Sequence, residues 1–258
     1  MTSKLSFHAV ENIPLIEPGD DLAATVIQAL LSSDLMLTTD DILIFAQKIV
    51  SKAANFFVDL STIIPGTEAQ KVATNVDKDP RLVEVILSQS RSIVRQAPGV
   101  LITEHKAGWI LANAGIDASN VDSLDGQEKV LLLPNDPDKI CQELRAGFKK
   151  LCNVDIAVVI NDSFGRPWRI GTTGVAIGAA GLASIWDRRG ETDLFGRELK
   201  VSQQAVADEL ACAASLLQGQ GAEGYPVILV RGSELGWQSA PEHPAADLMR
   251  AKEEDLFR

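Results

Sequence analysis

The chain has 258 residues, a mass of 27.7 kDa and a formal net charge of −11, from 24 basic and 35 acidic residues. Apolar residues make up 46% of the chain, which is typical of a globular protein and excludes a disordered one. A pI near 4.8 argues against a nucleic-acid binder and against docking on anionic membranes, because both need a basic face.

The sequence also indicates where in the cell the protein is expected. No segment reaches roughly 18 consecutive apolar residues, so no transmembrane helix is predicted. The first residues lack the apolar core of a secretory signal. The three cysteines are an odd number without paired metal spacing, which favours free thiols in a reducing cytoplasm.

Hydrophobic periodicity predicts helices and strands that alternate along the chain. Strands are predicted at residues 5–10, 42–46, 56–60, 100–104, 109–113, 130–133, 156–160 and 227–230. Helices are predicted at residues 22–31, 68–76, 81–95, 136–151, 201–217 and 244–257. The segment 171–181 carries four glycines and is interpreted as irregular or tightly packed strand. We expect an α/β (α+β) fold with a mixed sheet, because strands 100–104 and 109–113 flank a Gly-containing loop and form an antiparallel hairpin.

A G-x-G-x-x-G pattern occurs at residues 219–224. In a dinucleotide-binding unit the glycines follow a strand and open a helix, whereas here they follow a predicted helix and precede a strand. The sequence therefore disfavours a Rossmann site. Gly219 suits a helix C-cap, and the loop could also bring its backbone close to a ligand.

Two polar clusters each have a structural and a functional interpretation. Asp117 and Asp162 lie in segments rich in Asn, Ser and Gly, which are ordinary turn residues. The alternative is that both carboxylates bind a hard cation such as Mg²⁺ or Mn²⁺. Lys48 and Lys52 follow a predicted buried strand and are either surface residues or phosphate ligands. The cations between residues 166 and 200, including Arg166 and Arg197, allow the same two interpretations.

Taken in order, the motifs resemble one family. They are Ile13-Pro-Leu-Ile16 with Gly19-Asp-Asp-Leu22, Gln47-Lys-Ile-Val-Ser-Lys52, Asn113-Ala-Gly-Ile-Asp-Ala-Ser-Asn120, Asn161-Asp-Ser-Phe-Gly-Arg166, Gly196-Arg-Glu-Leu-Lys200 and Gly219-Gln-Gly221. Together they closely resemble the coenzyme F420-0:L-glutamate ligases, also called gamma-glutamyl ligases, from residue 13 to about residue 232.

The resemblance implies a GTP-dependent enzyme that joins L-glutamate to a deazaflavin coenzyme precursor and releases GDP and phosphate. It implies a two-lobed unit over residues 1–258 that forms an interlocked homodimer. We expect no appended flavin-type reductase domain of the kind that some relatives carry, so the number of glutamates added stays open.

The resemblance also implies the site residues. Two divalent ions, Mg²⁺ or Mn²⁺, are expected, together with K⁺. Metal ligands are expected at Asp117, Asp162, Ser163 and Gln220. GTP contacts are expected at Ile13, Pro14, Leu15, Ile16, Gln47, Lys48, Lys52, Asn120, Gln218, Gly219, Gly221, Ala222, Glu223, Gly224 and Tyr225. Ser163 stands where a threonine can occur and keeps the hydroxyl. Gln220 stands where a carboxylate can occur, which weakens the expected second metal site.

The expected chemistry explains why an acidic protein needs metal ions. A carboxylate forms an amide only after activation, and phosphorylation by GTP gives an acyl phosphate that an amine attacks. The triphosphate, the precursor and glutamate are all anionic, so two aspartates that anchor cations would bring them together. No residue is identifiable as a catalytic base. A ligase of the same fold acting on another acid, a non-catalytic nucleotide-binding protein and, least favoured, a dehydrogenase are the alternatives.

Overall fold

The structure is a computed structural model that describes residues 4–118, 128–232 and 236–255. Within these residues the helices are α1 (Leu22–Ser32), α2 (Gln47–Ala53), α3 (Thr67–Val76), α4 (Pro80–Gln89), α5 (Pro137–Cys152) and α6 (Val206–Gln218). The strands are β1 (Leu5–Ala9), β2 (Ile42–Ala46), β3 (Phe57–Asp59), β4 (Ser90–Ala97), β5 (Val100–His105), β6 (Ile110–Ala112), β7 (Lys129–Leu131), β8 (Ala157–Arg166), β9 (Arg169–Ala180), β10 (Trp186–Asp187), β11 (Gln203–Gln204) and β12 (Val227–Gly232). No helix in these ranges is long and apolar enough to cross a membrane.

The centre of the fold is a five-stranded sheet with the order β1-β12-β2-β8-β9. Strands β2 and β8 run parallel, and the other neighbouring pairs are antiparallel. The predicted α/β class with a mixed sheet is therefore confirmed. Because β2 and β8 are parallel, Ala46 at the end of β2 lies opposite Asn161 in the middle of β8. This register places the residues that follow β2 beside the second half of β8.

The sheet is buried on both faces. On β2, Leu43 and Phe45 belong to a core shared with α1 and α5, while Ile42 and Ile44 belong to a core shared with α6. A strand covered on both sides has no polar face, which explains the continuous apolar run of β2 in the sequence. Packing on both faces thus fixes the positions of the residues at the ends of the central strands.

Strand β9 carries a β-bulge, and the residues before and after it pack against different helices. Ile160 of β8 lies opposite Gly178 and Asn161 lies opposite Ala176, so Ile177 is the extra residue. Before the bulge, a Cβ at Gly174 would overlap the backbone of Ala211 in α6. After it, a Cβ at Gly178 would lie 2.6 Å from the carbonyl oxygen of Pro137 in α5. The glycine-rich segment is therefore a tightly packed strand, as one of the two sequence interpretations held.

A second structural region has its own apolar core. It consists of α3, α4, the antiparallel sheet β4-β5-β6 and the ribbon β3-β7. Its buried residues include Val72, Val83, Ile86 and Leu101. The predicted hairpin is confirmed by the pairing of β5 with β6, and β4 adds a third strand.

Several predicted elements are wrong in extent or type. The helix predicted at 81–95 ends at Gln89, because the following segment pairs with β5 as strand β4. The strand predicted at 156–160 continues to Arg166 as one arm of a hairpin with β9. The helix predicted at 201–217 begins only at Val206.

The helix predicted at 244–257 is also wrong over the part of it that the structure describes. That segment forms two 3-10 turns, Ala245–Leu248 and Lys252–Glu254. The backbone N–H groups of Ala245 and Ala246 donate to the carboxylate of Asp138 on α5. These tertiary bonds hold the segment against α5 and override its helical pattern.

Candidate functional site

A cleft of about 950 Å³ opens where β2 and β8 run side by side. Its walls come from the segment before α1, from α2, from the ribbon β3-β7, from the middle of β8 and from the loop after α6. The residues expected at the site that line this cleft are Ile13, Pro14, Leu15, Ile16, Gln47, Lys48, Lys52, Asp162, Ser163, Gln218, Gly219, Gln220, Gly221, Ala222, Gly224 and Tyr225. Segments that are far apart in sequence thus converge on one cavity.

Helix α2 starts directly at the end of β2, which places its first residues at the cleft. Gln47 is buried, and Ser51 one turn later donates from its hydroxyl to the Gln47 side-chain oxygen at 3.1 Å. Lys48 and Lys52 are also one turn apart, so they project from the same side of the helix. Both lysines line the cleft and give it positive charge in an otherwise acidic protein.

The two predicted metal-binding aspartates come together through Lys48. The Lys48 ammonium lies 2.7 Å from the Asp117 carboxylate. The pKa of Asp162 is raised to about 7, chiefly because burial disfavours the charged carboxylate. The negative charge of Asp117 raises it as well, while a backbone N–H bond at Ser163 and the charge of Lys48 lower it. The charges of both Asp117 and Lys48 thus act on the Asp162 carboxylate.

The donor set of this corner fits a hard divalent cation. Two carboxylates, the Ser163 hydroxyl and the Gln220 amide are oxygen donors of the kind that Mg²⁺ and Mn²⁺ prefer. Across the described ranges, no group of three or more His, Cys, Asp or Glu side chains is placed to hold a metal ion. An ion held here would therefore take other ligands from water or phosphate, as Mg²⁺ commonly does.

The glycine loop caps α6 and faces the cleft. Gly219 follows the last residue of α6 with a φ of 71°, and its N–H donates to the carbonyl of Ser215. The predicted C-cap at Gly219 is confirmed, and the loop lies at the helix C-terminus, the wrong end for a Rossmann site. Gln218 and Asn161 exchange two hydrogen bonds of 2.8 and 3.1 Å through their amides. These bonds attach the start of the loop to β8.

Comparisons with known proteins show the family to which this chain belongs. The family model described as F420-0:Gamma-glutamyl ligase matches residues 11–232. This chain belongs to that family. It is 43% identical to the Coenzyme F420:L-glutamate ligase of Methanothermobacter thermautotrophicus over 254 residues, which is 98% of this chain and 99% of the relative.

Other relatives match over a similar extent. The Coenzyme F420:L-glutamate ligase of Methanopyrus kandleri is 42% identical over 96% of this chain and 97% of its own length. That of Methanococcus maripaludis strain S2 is 39% identical over 95% and 94%. The resemblance inferred from the motifs is thus confirmed, and the chain is an enzyme of the ligase class.

The described cleft wall does not account for every residue that the sequence analysis considered for the site. Asn120 lies outside the described residues. Asp117 reaches the cleft through its ion pair with Lys48. Glu223 turns back on its own loop, where its carboxylate accepts the Gly221 N–H at 2.8 Å. Arg166 donates to the carbonyl of Gly171 within the β8-β9 hairpin.

Conversely, the cleft contains residues that sequence reasoning did not assign to the site. These are chiefly Asn55, Phe57, Asp59, Lys129, Asn161 and Ser215. Asn161 belongs to a recognised motif and directly precedes Asp162, so a signal was present for it. The ribbon residues Phe57, Asp59 and Lys129 carry no motif, and only the pairing of β3 with β7 brings them together.

Proposed function

We propose that this ligase joins L-glutamate to the deazaflavin coenzyme precursor F420-0, with GTP as co-substrate and GDP and phosphate as products. The relatives named above are Coenzyme F420:L-glutamate ligases over nearly the full length of this chain, which supports the substrates. One structural observation carries the proposal. Lys48, Asp117 and Asp162 meet beside a cleft with the glycine loop on its wall.

The reaction proceeds in two displacements. The precursor's carboxylate attacks the γ-phosphorus of GTP, the bond to the β-phosphate oxygen breaks, and GDP leaves with that electron pair. The product is an acyl phosphate. The amine of glutamate then attacks the acyl carbon, the C–O bond to phosphate breaks, and an amide and inorganic phosphate form while the nitrogen loses its proton.

The residues of the chain position and neutralise these anions. Lys48 and Lys52 on α2 place positive charge near the phosphates, and Gly219 and Gly221, which have no Cβ, leave room for the phosphates beside the loop. Asp117, Asp162, Ser163 and Gln220 would hold two divalent ions. When bound, Mg²⁺ or Mn²⁺ supplies charge neutralisation on the phosphate oxygens. The rate then comes from orientation and electrostatics more than from covalent work by side chains.

The proposal includes K⁺ and a homodimer. The β8-β9 hairpin exposes Trp168 and Ile170, and the segment between β10 and β11 exposes Leu194 and Phe195. The side chains of Ile170 and Leu194 are fully exposed. Large exposed apolar side chains of this kind favour contact with a second copy of the chain.

Incubation of the purified protein with the precursor, L-glutamate, GTP and Mn²⁺ or Mg²⁺ tests the function. We expect a mass gain of one glutamyl unit and one GDP per amide formed. GTP binding without turnover would instead indicate a non-catalytic nucleotide-binding protein. Turnover of a different acid with L-glutamate would assign the fold to another substrate, and equal rates with ATP would contradict the GTP assignment.

A further inference from the structure

One wall of the cleft is the ribbon of β3 and β7, to which neither the motifs nor the proposed function assigns a role. Phe57, Asp59 and Lys129 of this ribbon line the cleft. In the antiparallel register Phe57 lies opposite Leu131, and Asp59 lies opposite Lys129. Side chains two residues apart on a strand share a face, and so do directly opposed residues. The three cleft residues therefore belong to a single face of the ribbon.

This face continues to Asp117. A β-bridge joins Asp117 to Leu131 through two backbone hydrogen bonds of 3.0 and 2.8 Å. Leu131 thus has Phe57 on one side and Asp117 on the other. The preceding residue, Val130, points the opposite way into the core of α3 and α4. Asp59 and Lys129 lie two residues further along the ribbon, about 7 Å from the level of Asp117.

The carboxylate of Asp59 is held in place by the chain. Its Oδ1 accepts the N–H of Ser61 at 2.8 Å and the hydroxyl of Ser61 at 2.6 Å. These bonds lower the pKa of Asp59, and the positive charge of Lys129 lowers it further, so the group is ionised at neutral pH. Directly opposed residues of an antiparallel pair have Cβ atoms about 5 Å apart, so the opposite charges face the cleft together.

We propose that Asp59 and Lys129 form the amino-acid subsite, in which Asp59 binds the α-ammonium and Lys129 binds the α-carboxylate of the incoming substrate. This inference rests on the proposed function, which requires an L-amino acid close to the acyl phosphate. The nucleotide and the precursor are both anionic, and an amino acid alone brings adjacent charges of both signs. Phe57 on the same face offers apolar surface for the methylene groups of the side chain.

The same contacts define what Asp59 does during the reaction. The nucleophile is the neutral amine, so the ammonium loses a proton before attack. A carboxylate with a lowered pKa is a poor proton acceptor. Asp59 is therefore a positioning residue that aims the nitrogen, and the proton leaves to solvent.

Two variants that remove charge test the subsite. Asp59→Asn keeps the oxygen that accepts from Ser61 and removes the charge, and Lys129→Met keeps an unbranched apolar side chain and removes the ammonium. We expect each to raise the KM for L-glutamate about tenfold or more, with the KM for GTP changed less than about twofold. Asp34→Asn and Lys139→Met, which lie on exposed surface away from the cleft, are the matched controls.

One analogue of L-glutamate distinguishes the contact to Lys129 from the contact to Asp59. The α-carboxamide of L-glutamate lacks the charge that Lys129 binds, so the wild-type enzyme prefers L-glutamate to this analogue. We expect Lys129→Met to lose most of that preference and Asp59→Asn to keep it. An unchanged preference in Lys129→Met would overturn the assignment. An equal rise in the KM for GTP and the KM for L-glutamate in the two variants would also overturn it, because Asp59 and Lys129 would then belong to the nucleotide site.

Calorimetric binding of L-glutamate separates the subsite from the proposed function. Binding by the wild type that weakens in both variants supports the subsite, even if no amide is formed. Amide formation by the wild type with unaltered L-glutamate binding in both variants contradicts the subsite and leaves the proposed function standing. Thermal unfolding of each variant verifies that the ribbon is intact.

Discussion

Asn161 on β8 and Gln218 at the end of α6 hold each other through two reciprocal amide hydrogen bonds. Asn161 is buried, and its amide also donates to the carbonyl of Ala211. Asn161 directly precedes Asp162, and Gln218 directly precedes the glycine loop. The pair therefore fixes the distance between the carboxylate side and the loop side of the cleft.

We expect Gln218→Met to weaken both folding and nucleotide binding. The variant leaves the oxygen of the buried Asn161 amide without its donor, which costs about 1–3 kcal/mol in the free energy of unfolding. It also frees the start of the glycine loop, so the KM for GTP rises. Urea unfolding and steady-state kinetics measure the two effects. Gln142→Met on the exposed face of α5 is the control, and equal behaviour of the two variants would contradict the role of the pair.

Asp162→Asn is expected to lose turnover without losing stability. Burial penalises the charged carboxylate of Asp162, and the amide removes that penalty, so the free energy of unfolding stays constant or rises at neutral pH. In the proposed function Asp162 binds a metal ion, and removal of such a ligand costs at least as much as loss of the groups that orient it, so activity falls by more than about a hundredfold. Asp117→Asn is expected to lose activity similarly.

The control for the aspartate variants is Asp34→Asn, since Asp34 is exposed and has a positive φ that asparagine accepts readily. Circular dichroism and chemical denaturation accompany the assays. Unfolding of both cleft variants would instead show that the two aspartates serve to stabilise the fold.

Gly174→Ala should destabilise the fold. The added methyl group meets the backbone of Ala211, which cannot move without shifting α6 away from the sheet. We expect a loss of about 1–3 kcal/mol in the free energy of unfolding, typical of overpacking. Gly165→Ala on the adjacent strand is the control, because a Cβ added at Gly165 would have no heavy atom within 4 Å. Similar melting temperatures for the two variants would contradict this packing argument.

His105 makes the protein sensitive to acid. Its ring is buried, stacks on Trp109 with the ring centroids 5.2 Å apart, and accepts the Ala107 N–H at Nδ1. Burial, with smaller effects from Lys106 and Arg91, lowers its pKa from 6.5 to about 4. Between these pH values the unfolded chain binds a proton that the folded chain does not. The free energy of unfolding therefore falls as pH is lowered through this range.

Substitution by a residue that does not titrate tests this pH dependence. His105→Asn keeps an acceptor for the Ala107 N–H and removes the proton-binding group. Urea unfolding between pH 7 and 4 should show a shallower loss of stability in the variant than in the wild type. Parallel curves would show that other groups determine the acid response.

Ile170→Asp is expected to disrupt the proposed homodimer. The side chain is fully exposed at the projecting hairpin, where a carboxylate costs little in the single chain but is unfavourable in an apolar interface. Sedimentation velocity should show dimers for the wild type and mainly monomers for the variant. Ile64→Asp, at an exposed site after β3, is the control. A monomeric wild type would contradict the homodimer.

The sequence predicts the parts of this fold that depend on local pattern. The limits of β2 are obtained from its apolar run alone, and the end of α6 from Gly219. The helix predicted over residues 90–95 is wrong because pairing with β5 decides their conformation, and helical periodicity does not reveal that partner. The helix predicted at 244–257 is wrong over its described part because the carboxylate of Asp138, more than 100 residues earlier, accepts hydrogen bonds from the backbone there.

The candidate site divides in the same way. Lys48, Asp162 and Gly219 belong to motifs that the family resemblance makes visible, and the structure brings them to one cleft. Asp59 and Lys129 are ordinary residues in sequence and become neighbours only through the register of β3 with β7. Residue types and spacing predict chemistry along a strand, but they do not predict which strand lies opposite.

The parallel pairing of β2 with β8 has a consequence for how the protein matures. The strands are separated by more than 100 residues, and the cleft needs both of them, so a ribosome-bound chain has no cleft until the emerging polypeptide extends past β8. Closing such a long loop is slow compared with forming a helix or hairpin. Ligands that occupy the cleft can therefore stabilise only molecules whose long-range topology is already complete.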